Sequence, residues 1–354
     1  MNLDRAVTRF ARIFCLSLAT ALTALPLALP AQDLPDRIDC LVPAQPQGGF
    51  DMTCQLLAET LPSAGLGITA VTRSYLPGGV GAAAYSAVSH GADARADQLI
   101  AFADGSIYNL ALGQMPATSD QAPQWVAVLA RDYGAVVVRG DASWQGLEAL
   151  MREAAQDPHR IGFGGGGLLW GPDRMRLSLT ARAYGIPSGN LRFLAFEGSG
   201  SCLEALSAGF VQACLNDAAA AQTAIDQGTD LRILAVYAPT RLPGALSDTP
   251  TAREQGVPLD WPVARGVYLA PGVDPAITAA WQARIGALMH TPAYAAALAR
   301  LNLQPDPLTG DALRAAIAGI ATTAQAHARA LGLVCTPQPL WPQRQITCVR
   351  TDPT

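Results

Sequence analysis

The chain has 354 residues, half of them apolar, a formal net charge of −4 and no lysine. A mildly acidic chain without basic tracts is a poor partner for nucleic acid or an anionic membrane surface. Without lysine, Schiff-base and other lysine-based catalysis is excluded.

The first 31 residues place Arg5, Arg9 and Arg12 before the uncharged run IFCLSLATALTALPLAL, which is followed by Pro-Ala-Gln-Asp. A basic start, an apolar middle and small residues before a polar one read as a secretory signal peptide. Cleavage is expected after Ala31, and the apolar run is marginal for a membrane span. Cys15 follows Phe14 rather than a small residue, so no lipoprotein anchor is expected. Loss of Asp4 and the three arginines takes the net charge from −4 to −6. The expected location is a bacterial periplasm.

After this segment, strands and helices alternate, the grammar of an α/β fold with mainly parallel sheets. RIDCLVP (37–43) predicts a strand, and DMTCQLLAETL (51–61) an amphipathic helix capped by Asp51. A strand at 67–75, a small-residue helix at 80–90 and a strand at 98–104 follow. WVAVLARDYGAVVVRG (125–140) reads as two strand segments joined near Asp132-Tyr133-Gly134, able to carry the chain into a second domain.

The same grammar resumes in RIGFGGGG, PDRMRLSLTARAYG, LRFLAFEGSGSCLEALSAG, VQACLND and LRILAVYA. ARGVYLAP (264–271) reads as the return crossing, and three helices follow from Asp274 onward. The last twenty residues show neither period. The expected division is lobe 1 at 32–133 plus 265–334, lobe 2 at 134–264 and a disulfide-closed tail at 335–354. Two crossings then form a hinge, with a cleft between the lobes.

Six cysteines remain after processing, and they fall into local pairs: Cys40 with Cys54, Cys202 with Cys214, Cys335 with Cys348. Six cysteines allow 15 connectivities, but spacings of 14, 12 and 13 favour three local bridges in an oxidising compartment. Without a C-x-x-C or a nearby histidine, the zinc reading is weak.

Glycine-rich seams recur where strands meet helices: Gln47-Gly48-Gly49-Phe50, Pro77-Gly78-Gly79, Gly105-Ser106, Gly164 to Gly167 and Glu197-Gly198-Ser199-Gly200-Ser201. A helix N-terminus offers unpaired N–H groups and about half a positive charge. Glycine before it lets a ligand approach the backbone, and ligands of open α/β sheets sit beyond the strands' carboxyl ends. Five such seams predict a cleft that cradles carboxylate or phosphate. Neither a G-x-x-x-x-G-K-[ST] loop nor a true G-x-G-x-x-G is present, so nucleotides are poor candidates.

In order, RIDCLVPAQPQGGFDMTCQLLAETL, SYLPGGVGAAAYSAVSHGADARADQLIAFADGSIYNLALG, WVAVLARDYGAVVVRGDASWQGLEAL, FLAFEGSGSCLEALSAGFVQACLND, LRILAVYAPTRLPGALSDTPTAREQG and DWPVARGVYLAP resemble the Bug-type (TctC-like) receptors of tripartite tricarboxylate transporters. The resemblance covers about residues 36 to 333. It implies a two-lobed periplasmic binding protein, type II-like, which closes on a small organic acid such as citrate or another di- or tricarboxylate. It implies no cofactor, no metal, a monomer, and integral membrane components of a transporter as partners. A periplasmic sensor or scavenging protein is the alternative.

Carried onto this chain, the family's first loop matches Gln47, Gly48, Gly49, Phe50 and Asp51, with Asp51 better read as a helix cap than as a ligand group. The second loop matches Gly78 and Gly79, and Ser106 offers a hydroxyl. In the second lobe the match gives Gly165, Gly166, Gly167, Ser199, Gly200 and Asp217. Where the family continues into a Gly-Ser-Pro-type turn, this chain has Leu-Leu-Trp-Gly-Pro, so Trp170 is expected to enter the pocket. Glu197 and Asp217 favour a ligand with an amine or hydroxyls, or else orient loops. Arg265 either forks onto a carboxylate or makes an interlobe salt bridge.

An exported hydrolase is the third class. His90, His159, His290 and His327 lie far in sequence from the glycine seams, and no G-x-S-x-G or H-E-x-x-H occurs. No catalytic constellation is expected.

Overall fold

The structure, a computed structural model, describes residues 34–90, 94–115, 122–167, 170–340 and 343–350. The expected signal segment lies outside them.

The chain opens with β1 (Arg37–Val42), α1 (Gly49–Thr60), β2 (Ala70–Tyr75), α2 (Ala82–His90), β3 (Gln98–Ala103) and α3 (Asp104–Ala111). The long β4 (Gln124–Arg139) leads to α4 (Leu147–Gln156), β5 (Gly162–Gly166), α5 (Pro172–Ala183), β6 (Arg192–Phe196), α6 (Ser199–Ser207), β7 (Ala213–Asp217), α7 (Ala218–Asp226) and β8 (Leu231–Val236). Then follow β9 (Pro262–Leu269), α8 (Pro275–Leu288), α9 (Pro292–Arg300), β10 (Gln304–Leu308), α10 (Gly310–Ala330), β11 (Leu333–Leu340) and β12 (Gln343–Arg350). The α/β alternation expected from the apolar periodicity is present.

The main sheet runs β2-β1-β3-β9-β4-β7-β5-β6, with β8 and β10 also paired to β4. Its wings are parallel: β1 lies between β2 and β3, and β5 between β6 and β7. Every pairing that involves β4 or β9 is antiparallel. The sheet is therefore mixed, parallel where a helix returns the chain and antiparallel where a long strand crosses.

β4 is one continuous strand, not the expected two segments. Up to Tyr133 it pairs with β9, and from Gly134 it pairs with β7. Its apolar residues Val126 to Ala130 and Ala135 to Val138 are buried throughout, as befits a strand covered on both faces.

Proline starts two of the later helices. Pro275 and Pro292 occupy first-turn positions, with Asp274 accepting from the Ala276 N–H at 2.8 Å and Thr291 from the Tyr294 N–H at 3.2 Å. These are side-chain caps followed by proline, which needs no amide partner there.

Two elements depart from expectation. QPDPL forms β10, an antiparallel partner of the first half of β4; two prolines hid it, yet an edge strand tolerates them. Residues 333–340 and 343–350 pair as the antiparallel strands β11 and β12, where the sequence showed neither period.

Disulfides join Cys40 to Cys54 and Cys202 to Cys214. The first ties β1 to α1, the second α6 to β7. Cys335 and Cys348 stand directly opposite in the hairpin register, and their side chains lie outside the described ones. Among the described residues no helix is long and apolar enough to cross a membrane.

Candidate functional site

The carboxyl ends of β1, β3, β5, β6 and β7 lead into the N-terminal turns of α1, α3, α5, α6 and α7 around one cavity of about 60 Å³. By the volume one water needs, that is room for about four waters. Its lining takes Gly48, Gly49 and Phe50 from the first seam, Asp104 and Gly105 from α3, and Gly166, Pro172, Asp173 and Arg176 from β5 and α5. Glu197 to Gly200, Asp217, Trp261, Val263 and Arg265 also line it, as do Val80 from the second seam, Ala103 at the end of β3 and Pro43 to Gln45 after β1.

Two of these helix ends meet closely: a Cβ on Gly200 would lie 3.0 Å from the Pro46 carbonyl oxygen and 3.2 Å from that of Gln47, tighter than most Cβ contacts. A Cβ built on Gly48 would lie 3.5 Å from the Gly200 nitrogen and 3.8 Å from that of Ser199, in ordinary contact. The first turns of α1 and α6 therefore face each other, and both carry unpaired N–H groups and positive partial charge.

Asp51 holds the first seam from outside the cavity. It is the third residue of α1 and not its cap, because the helix starts at Gly49 with Gly48 at the cap position. Its Oδ2 accepts the Gln47 N–H at 2.9 Å, while Oδ1 accepts from Arg73 at 2.7 Å and the Tyr75 hydroxyl at 3.0 Å. Gln47, at φ 65°, faces an outer cleft with Pro46, Glu197 and Glu204.

A buried charge cluster forms the floor. Arg265, 1% exposed, donates through Nη2 to Asp132 at 2.6 Å and Asp217 at 2.7 Å. Arg176 donates through Nη2 to Asp173 at 2.7 Å and to the Asn216 carbonyl at 2.9 Å, with its guanidinium over the rings of Tyr237 and Trp261. Nε of both arginines is buried without a hydrogen-bond partner among the described residues. A buried donor without a partner is costly.

The carboxyls respond to this setting in opposite directions. Burial pushes Asp104 up to about 7, against the Ala264 N–H (2.7 Å) and Arg265 that favour its anion. Burial likewise raises Asp173 to about 6, with Arg176 opposing. Asp132 is raised by burial. For Asp217 burial works upward too, but Arg265 and Arg176 together outweigh it and hold the group low. Glu197 has no ion pair or hydrogen bond among the described residues.

Of the residues expected from sequence, Gly48, Gly49, Phe50, Gly166, Ser199, Gly200, Asp217 and Arg265 line the cavity. Gln47, Asp51, Gly78, Gly79, Ser106, Gly165 and Gly167 stand behind or beside it. Trp170 does not enter it; the ring packs on the core with Arg174 5.7 Å above its centroid. Sequence reading missed Asp104, Asp132, Asp173 and Arg176. Their signal was weak: Asp104 and Asp173 stand in the first turns of α3 and α5, whereas Asp132 and Arg176 lie within β4 and α5, where no sequence pattern marks them.

A second cavity of about 250 Å³ lies on the other side of Asp104 and Trp261, against α10. There His327 bonds the Tyr108 hydroxyl at 2.9 Å and stacks on Trp261 at 4.6 Å. His159 and His290 are exposed on the surface. Among the described residues no group of three or more His, Cys, Asp or Glu could hold a metal ion.

Known proteins resemble this chain in two ways. The family described as tripartite tricarboxylate transporter family receptor matches residues 106–321. No curated protein matches. Among solved structures, MatC from Rhodopseudomonas palustris with bound malate is 20% identical, with a TM-score of 0.68 over 84% of this chain and 98% of its own. A second R. palustris protein, with adipate, is 21% identical, with 0.71 over 84% and 98%. The periplasmic binding protein BugD is 18% identical, with 0.71 over 84% and 97%. At these identities the likeness shows the fold.

Proposed function

The chain belongs to the receptor family of tripartite tricarboxylate transporters, and on that premise we propose that it captures a small organic acid for uptake. Receptors of this family are periplasmic solute-binding proteins and not enzymes. The observation that carries the carboxylate reading is the meeting of two positive helix ends, those of α1 and α6, over two buried guanidinium groups with unpaired Nε–H. A carboxylate supplies the acceptors that both need.

In this reading residues 1–31 are a signal peptide, 32–133 with 265–334 form one lobe, and 134–264 form the other. The change of partners along β4 at Tyr133–Gly134 supports the division. The lobes close on the acid by a hinge at β4 and β9, and the membrane components of the transporter accept the closed form. The protein works as a monomer without cofactor.

A thermal-shift screen of ligand-stripped protein tests this. The panel holds di- and tricarboxylates, aromatic acids, amino acids, sugars and phosphate esters. Binding at a thousandfold excess over Kd stabilises by about 4 kcal/mol. Stabilisation by small carboxylates supports the reading; stabilisation by sugars or phosphate esters alone refutes it.

A further inference from the structure

The second seam contains a residue whose backbone is out of place for its type. Val80 sits at φ 54°, ψ 50°, the left-handed region. Glycine enters that region freely, but a β-branched side chain is a genuine outlier there. Its neighbours Gly78, Gly79 and Gly81, at φ 147°, 56° and 92°, show that the loop demands such angles throughout.

The strain is held from α3. Asn109, 1% exposed, donates through Nδ2 to the Gly79 carbonyl at 2.9 Å and to the Val80 carbonyl at 3.4 Å, and the Ser106 hydroxyl reaches the Val80 carbonyl at 3.4 Å. Strained residues persist where the surroundings over-determine them, and they cluster at ligand clamps.

The isopropyl group occupies space that two glycines leave open. A Cβ on Gly105 would lie 2.5 Å from Val80 Cγ1, and one on Gly167 would lie 2.7 Å from Cγ2. Gly105 has no left-handed angle to explain it; its missing side chain is the room Val80 takes. Val80 thus bridges the start of α3 and the end of β5, two walls of the same cavity, and is itself part of the lining.

We propose that Val80 is a specificity-determining residue that limits the length of the ligand. The proposal rests on the small-carboxylate reading and deepens it. The two methyl groups form an apolar stop between the α3 and β5 walls. An acid that reaches the stop fits, and one longer by a methylene or two must displace it. One methylene misfit at an apolar pocket wall changes affinity by roughly 10- to 200-fold.

Isothermal titration of succinate, glutarate, adipate and pimelate into wild type, Val80→Gly and Val80→Thr tests it. Glycine adopts the backbone without strain, so the first variant keeps the fold and opens the stop. Threonine keeps the shape and the bulk. Wild type and Val80→Thr are expected to bind succinate or glutarate at least about tenfold more tightly than adipate, and Val80→Gly to lose or reverse that ratio. Unchanged ratios in Val80→Gly, or the same change in Val80→Thr, overturn the assignment and leave the carboxylate reading intact. Wild type that binds none of the four overturns this assignment alone, and the carboxylate reading then stands or falls by the wider thermal-shift panel.

Discussion

Gly49→Ala probes how tightly the site is built. Gly49 opens α1 without a left-handed φ, so alanine suits its backbone and its helix. The obstacle is Arg265: a Cβ at Gly49 would come closer than 3.0 Å to Cζ and both Nη atoms. The guanidinium retreats only by weakening its ion pairs, since Nη2 holds Asp132 at 2.6 Å and Asp217 at 2.7 Å in a 1% exposed setting. Full rupture of a buried pair costs about 3–5 kcal/mol. Partial retreat of the arginine should bring the loss to ~3 kcal/mol, within reach of urea unfolding at constant m-value. The same change in an Arg265→Met background should cost much less, giving a coupling energy of ~2 kcal/mol in a double-mutant cycle. A single-variant loss below ~1 kcal/mol, or additive effects in the cycle, would refute the close packing of Arg265 on the α1 terminus.

Three other perturbations test separate parts of the account. Asp104 titrates near 7 when folded and near 4 when unfolded, so the folded state binds the extra proton and stability falls as pH rises between those values. Asp104→Asn should remove up to about 4 kcal/mol of that fall; unfolding curves for variant and wild type that stay parallel from pH 4 to 8 would contradict it. Replacing Cys40 and Cys54 together with serine should cost about 3 kcal/mol by the chain-entropy estimate for the 14-residue separation, and unchanged stability would count against the bridge. Glu197→Gln removes an unpaired negative charge at the cavity, so carboxylates should bind a few-fold more tightly at low salt and no differently at ~1 M, where the Debye length is about 3 Å; a gain that persists in high salt would point to a direct contact instead.

What could be read from sequence followed the range of the interactions. The strand–helix alternation and the 14- and 12-residue cysteine pairs are local, and the structure contains both. The glycine seams marked where backbone must approach backbone, and Gly48 and Gly200 do meet. The ion cluster was not legible, because Asp132 and Arg265 stand 133 positions apart and only the β4–β9 register brings them together. Asp51 looked like a cap from its place before a helix; its partners Arg73 and Tyr75, on β2, were invisible without the β1–β2 pairing. Val80 was read as the first residue of the small-residue helix, which in fact begins at Ala82, since strain is a property of φ and not of composition.

The most direct test of the central claim is a crystal structure of the mature protein with the tightest-binding acid from the screen. The account predicts one carboxylate between the first turns of α1 and α6, its oxygens within hydrogen-bonding distance of backbone N–H groups there and of Nε of Arg265 or Arg176. An acid bound elsewhere, for example in the cavity behind Trp261 against α10, or held without contact to either helix end, would contradict it.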